Sequence, residues 1–328
     1  ARPDVTTPKE VIEIFEDYTQ PDVFIDDVYL GFTNYISKLK KEDRYSYSKS
    51  IQATLTNIKS YNDNKKLKFT SIDPQWLENY QTQRVKREGK SISSVGVDLR
   101  NLRTIYNQAK NQNESLKFKY PFGNNKFSIP ESDVKNVSLS KDDIQKINDY
   151  SSPNMLLQQA RDFWMFSYFG RGINIKDIAF LEKKKFKNHT IKYYRQKTKY
   201  TSKKPRELAL VFNAEMIEIL YRYEGSGKYL FNILDDFDNA EEIEKKISNR
   251  KSQIQKAMRK LGENLELPNG FSYQWARHSV ATNLVRGNVD MKTIQDVFGH
   301  QKINTTIKYV DSLIEEKREQ IDDALSLD

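Results

Sequence analysis

Cysteine is absent from this 328-residue chain, and histidine is nearly so: only His189, His278 and His300 occur. Without thiols there is no disulfide framework and no thiolate metal site, which fits a reducing cytoplasm. Three scattered histidines argue against an all-histidine metal centre. No apolar run reaches the ~18 residues that a membrane span needs. No glycine-rich phosphate loop appears, and no acidic pair is placed for metal-assisted phosphodiester chemistry. The expectation is therefore no metal, no cofactor and no membrane partner. The opening "ARPDVTTPKE" is not a signal peptide and lacks an initiator Met. It reads as a processed chain or a fragment, with room for a further N-terminal domain ahead of it.

What the chain does have is positive charge and aromatic bulk. Its net charge of +9 and pI near 9.2 favour a polyanionic partner, although charge alone does not separate a nucleic-acid binder from an ordinary basic protein. The 19 Tyr and 17 Phe supply core side chains despite a mean hydropathy of −0.79, which argues against pervasive disorder.

From about Val23 to Ala109 the pattern is helical. Ile51, Leu55, Ile58 and Tyr61 recur at helical spacing. In "SISSVGVDLRNLRTIYNQAK" one stripe holds Val95, Leu99, Leu102, Tyr106 and Ala109, with Ser93 as the expected N-cap. The other face holds Arg100, Arg103, Asn107 and Lys110, either a solvated face or a nucleic-acid contact. Periodicity is lost after residue 114, where Pro121, Gly123, Asn124, Asn125 and Pro130 collect. Ser140 with Asp143 three residues on predicts a fresh helix start. Further on, "FKNHTIKYYRQKTKY" alternates around Asn188-His189 and predicts a hairpin, with another strand near "PRELAL" and helices from there to the end. The expected organisation is an N-terminal linker or remnant (1–20), a helical domain (21–114), a linker (115–137), a mixed α/β domain (138–310) and a tail helix (311–328).

Four elements in the second domain carry candidate chemistry: Arg171 after a glycine, Lys197 in the hairpin, Arg277-His278 in a helix, and Gly299-His300 ahead of Tyr309. Arg, Lys, His and Tyr together can clamp a phosphate, neutralise a pentacoordinate transition state and attack it with a phenolate. Alone, Tyr309 beside Ile307 reads as one more packing aromatic.

The stretch "YQWARHSVATNLVRGNVDMKTIQDVFGHQKINTTIKYVD" resembles the signature of the tyrosine recombinase (phage integrase) family. There an Arg-His pair opens a helix, a Gly-His comes some two dozen residues on, and a nucleophilic Tyr stands nine residues after that His. Arg277, His300 and Tyr309 match in type, order and spacing. The wording of "RGINIKDIAFL" and "WARHSVAT" is similar to the Bacteroidetes branch of conjugative transposons, and a "YPF" element marks the linker. The resemblance implies a mainly α fold with a small antiparallel β-sheet: a helical, SAM-like core-binding domain and a mixed catalytic domain that together clamp DNA. It implies attack by Tyr309 on the scissile phosphodiester, giving a 3′-phosphotyrosine and a free 5′-hydroxyl without metal or ATP. Arg277 would hold the non-bridging oxygens and His300 would bond the same phosphate. Lys197 would protonate the leaving 5′-oxygen, Lys199 and Arg195 would lie on DNA, and His278 would brace the helix. Double-stranded DNA would be the partner, bound by a homo-tetramer through the C-terminal tail, with an accessory DNA-bending protein possible and a nucleoid-associated, cytoplasmic location.

Two positions depart from the family pattern. Asn174 stands where an Arg is expected three residues before Asp177, so Arg171 is the expected stand-in, with Arg195 as second choice and Asp177 as an orienting acid. Gln274 stands three before Arg277 where many relatives have His, and an amide can bond a phosphate oxygen but carries no proton near neutral pH. Rival readings are a catalytically inactive DNA-binding regulator of the same fold and a type IB topoisomerase-like relaxase.

Overall fold

The computed structural model describes residues 25–123, 125–131, 137–199, 202, 204–300, 303–311 and 325, and of 115, 118 and 308–311 the backbone only. The segment expected as an N-terminal remnant, and the tail apart from Asp311 and Leu325, lie outside the described residues. The fold is mainly helical with one small antiparallel sheet, and the chain divides into two compact units, Ala1–Asp133 and Val134–Asp328.

Among the described residues the first unit is built of helices, α1 (Val28–Lys41), α2 (Tyr45–Tyr61), α3 (Pro74–Thr82), α4 (Ile92–Gln112) and the short α5 (Ser115–Phe118), with an isolated bridge between Phe122 and Phe127. Three of these helix starts, those of α1, α3 and α4, carry a side-chain cap. Asp27 accepts the N–H groups of Tyr29 and Leu30, and Asp73 caps α3 with Pro74 in its first turn. For α4 the cap is Ser91, which accepts the Ser94 N–H, and not Ser93 as expected. The helix begins two residues earlier because Ile92 and Ser93 pass into its exposed first turn. The expected stripe of α4 is buried from Val95 to Ala109 and packs with Phe32, Leu39, Ile51 and Ile58. Each such side chain contributes about 1.5–3 kcal/mol by leaving water.

One carboxylate is buried among them. Asp98 accepts from Thr54 Oγ1 (2.9 Å), Asn57 Nδ2 (3.0 Å) and Tyr80 Oη (2.9 Å), with Arg84 Nη2 at 3.9 Å. The basic stretch after α3 is thus anchored inward, through a π-helical turn over Gln83–Arg87 that buries Arg84. Of the segment expected as a linker, Leu116, Phe122 and Phe127 are buried in this unit's core.

The second unit opens with α6 (Lys141–Asp149), where Ser140 accepts the Asp143 N–H as expected. Next come α7 (Met155–Phe169) and α8 (Ile175–Ala179), then β1 (Phe186–Lys187), β2 (Thr190–Tyr194) and β3 (Glu207–Val211), antiparallel in that order. Asn188 and His189 join β1 to β2 with φ of 48° and 55°, the two left-handed residues that a tight two-residue hairpin needs. Among the described residues the helices α9 (Ala214–Arg222), α10 (Ala240–Asn264), α11 (Trp275–Arg286), α12 (Met291–Phe298) and α13 (Asn304–Asp311) follow. At its centre α7 packs against α9, α10 and α11, with Phe163, Trp164 and Phe166 fully buried. A smaller apolar cluster of Val280, Val285, Ile294 and Phe298 joins α11 to α12 and supports the turn at Gly299.

Candidate active site

The Gly-His pair owes its place to the end of α12. Gly299 closes that helix in the left-handed conformation, φ 62°, a position that favours glycine. A Cβ there would also stand 3.1 Å from Leu208. The turn it makes brings His300 back beside Arg277 of α11, with Nη2 to Nε2 at 2.9 Å.

Arg277 is fixed on several sides. Its Nη1 donates to the Gly172 carbonyl (3.1 Å), its Nη2 to the Phe298 carbonyl (3.0 Å), and its guanidinium lies 4.3 Å from the Phe298 ring centroid. Gly172 allows this approach. Its φ is 74°, and a Cβ would fall 2.6–2.9 Å from the Cγ, Cβ and Cα of Arg277. Arg195, at the end of β2, also donates through Nη1 to the Phe298 carbonyl, at 3.3 Å. Two guanidinium groups therefore share one acceptor beside His300.

Lys197 lies in the β2–β3 turn, closed by Thr198 and Lys199 N–H groups on the Arg195 carbonyl. Burial first, then the charges of Arg277, Arg195 and Lys197, push the His300 imidazole down to about 4. Asp177 is buried behind this turn and accepts the Gln196 N–H at 2.7 Å. Burial raises its carboxyl above the ordinary range, against the lowering pull of that N–H and of Arg195 and Arg277. Asp177 thus holds the strand end from which Arg195 and Lys197 project.

The remaining expected residues lie around this cluster. Asn174 caps α8, its side chain accepting the Lys176 N–H at 3.0 Å. Arg171 is exposed in a left-handed turn, φ 57°, and its charge reaches Tyr193. Gln274 is exposed at the head of α11. The neighbouring Tyr273 is instead buried and donates to the Ile173 carbonyl at 3.0 Å, so it braces the segment before α8. His278 is half-buried, and burial, with Arg277 second, holds its imidazole below the usual value. Tyr309 belongs to the α13 backbone, and its side chain lies outside the described residues. In the first unit Arg100 and Arg103 are exposed on α4, Asn107 is half-buried, and Lys110 lies 4.3 Å from the Tyr120 ring centroid. Lys199 is exposed.

Sequence reasoning misses Gly172, Phe298 and Thr306, which touch the cluster. Gly172 had a signal, a glycine directly after Arg171, but its contact lies 105 residues away along the chain. Phe298 acts through its carbonyl and ring, and neither reads from residue type.

Residues 138–316 match the phage integrase family, and residues 27–129 match the phage integrase SAM-like domain. The tyrosine recombinase XerC of Rhizobium meliloti (strain 1021) is 44% identical over 56 residues, 17% of this chain and 18% of that protein. That match spans less than a fifth of the relative's length. XerC of Escherichia coli O157:H7 (strain EC4115) is 24% identical over 281 residues, 86% of this chain and 89% of the relative. Among solved structures, XerH recombinase bound to a palindromic difH substrate after cleavage superposes with a TM-score of 0.61 at 16% identity, covering 100% of this chain and 91% of that one. The Tn1549 transposon integrase with transposon right-end DNA gives 0.59 at 16% identity, covering 89% and 99%. At these identities the structural likeness shows the fold.

Proposed function

The chain belongs to the phage integrase family, that of the tyrosine-type site-specific recombinases, and from this premise we propose that it breaks and rejoins double-stranded DNA through Tyr309. The observation that carries the proposal is that Arg277 lies 2.9 Å from His300 and shares the Phe298 carbonyl with Arg195, just ahead in sequence of the helix bearing Tyr309.

In this reading Arg277 offers paired donors to the non-bridging oxygens of the scissile phosphate. Its carbonyl and ring contacts hold it in place beforehand, so little reorganisation is needed as charge develops. His300 stands beside Arg277 at the same phosphate, accepts from that guanidinium and orients it. Tyr309 gives its phenolic proton to water and attacks phosphorus as the phenolate, the 3′-phosphotyrosyl bond forms, the bond to the 5′-oxygen breaks, and Lys197 gives that oxygen its proton. Asn174 is occupied as a helix cap and brings no charge, so the second guanidinium comes from elsewhere. Arg195 suits that role better than Arg171, because it already shares an acceptor with Arg277. Gln274 contributes a neutral hydrogen bond, and Asp177 positions the Arg195–Lys197 segment. The exposed Arg100 and Arg103, with Asn107, Lys110 and Lys199, contact the duplex, mostly at phosphates. Assembly as a tetramer on two DNA sites through the tail after Tyr309 completes the proposal.

The test is a plasmid carrying two copies of the protein's DNA site, recovered by selection from random duplexes. Recombinant circles are expected. Relaxed topoisomers alone would favour the relaxase reading, and binding with no change in the DNA would favour an inactive regulator.

A further inference from the structure

His300 is held at both ring nitrogens: Nε2 lies 2.9 Å from Arg277 Nη2, and Nδ1 lies 3.0 Å from Thr306 Oγ1. A guanidinium has donors only, so Nε2 must accept and carries no proton. The single proton of a neutral imidazole then belongs to Nδ1, and the Thr306 hydroxyl is its acceptor. Thr306 is fully buried, while the adjacent Thr305 is exposed. It lies in the first turn of α13, its N–H on the Ile303 carbonyl, three residues before Tyr309.

We propose that Thr306 is a positioning residue, whose hydroxyl fixes His300 as the Nδ1–H tautomer and ties the helix bearing Tyr309 to the imidazole. The proposal rests on the recombinase function and adds to it what sets the ring. Two tethers fix the orientation from opposite sides. Were the ring turned over, Cδ2 would face Thr306 and Cε1 would face Arg277, and both hydrogen bonds would be lost. With Nδ1 held, Nε2 stays beside Arg277, where the phosphate is to bind. Burial and the surrounding charges of Arg277, Arg195 and Lys197 keep the ring neutral in the free protein, which makes a single tautomer meaningful. This is the arrangement by which an orienting acceptor on one imidazole nitrogen determines the chemistry of the other.

The test compares Thr306→Val, which keeps shape and loses the hydroxyl, with Thr306→Ser, which keeps it. The first readout is the long-range 1H–15N spectrum of the full chain, whose three histidines are assigned with His189→Gln and His278→Gln. Wild type and Thr306→Ser are expected to show His300 with its proton on Nδ1, and Thr306→Val a mixed or reversed tautomer. The second readout is covalent adduct formation on a nicked DNA substrate, expected to slow roughly 10- to 100-fold in Thr306→Val and to stay near wild type in Thr306→Ser, with DNA affinity unchanged. A wild-type proton on Nε2 would overturn the proposal, as would a Thr306→Val variant that keeps either the wild-type tautomer or the wild-type rate. A wild type that forms no adduct sinks the recombinase reading instead, and the spectrum, which needs no activity, then still decides whether Thr306 sets the ring.

Discussion

Arg195 and Arg171 make opposite demands on the same experiment. Arg195 is bonded to the Phe298 carbonyl that also receives Arg277, whereas Arg171 is exposed in a left-handed turn. Arg195→Ala is expected to reduce DNA cleavage on the order of 100-fold, and Arg171→Ala only a few-fold, measured as single-turnover adduct formation. The reverse order would assign the second guanidinium to Arg171. His300 also gives a pH signature. Its folded pKa, about 4, lies below the ordinary 6.5, so the unfolded chain binds the proton first as pH falls. The associated stability is complete above pH 6.5 and is lost toward pH 4, by about 1–2 kcal/mol once the solvent screening of a half-buried ring is discounted. His278 is shifted the same way, so His300→Asn should remove part of the slope in thermal midpoint between these pH values and not all of it.

At the scale of elements, the packed unit of greatest consequence in the first domain is the buried Asp98 set, which ties α2, α3 and α4 together. Removing one partner of a buried charge pair leaves the other uncompensated. Asp98→Ala is therefore expected to cost about 3 kcal/mol in denaturant unfolding, with Asp98→Asn costing less because it still accepts hydrogen bonds. This set also marks what sequence patterning shows and what it hides. The stripe from Val95 to Ala109 was legible because helical spacing and burial coincide there, and Asn188-His189 was legible because few pairs accept two positive φ angles. Asp98 and Arg84 give no signal in the sequence, since nothing local says that Thr54, Asn57, Tyr80 and Arg84 meet around Asp98. The start of α4 at Ser91 and not Ser93 reflects a run in which several serines are fit to cap. In the site, Arg277, His300 and their spacing to Tyr309 were legible as a motif. Gly172, Phe298 and Thr306 were not, because they act through a close approach, a carbonyl and a buried hydroxyl that only the folded chain brings together.

For the whole molecule, a net charge of +9 predicts binding to DNA that weakens steeply with salt. If Arg100 and Arg103 each neutralise a phosphate, replacing both with Ala should reduce the slope of log affinity against log salt by about two. An unchanged slope would place the first unit's DNA contacts elsewhere. The central claim, that Tyr309 becomes joined to DNA, is tested most directly with a nicked suicide duplex bearing the selected site. Wild type should accumulate a covalent protein–DNA adduct that releases a 5′-hydroxyl fragment and whose nucleotide-bearing peptide contains Tyr309, while Tyr309→Phe forms none. An adduct that persists in Tyr309→Phe, or its absence in the wild type on DNA that the protein binds, would contradict the account.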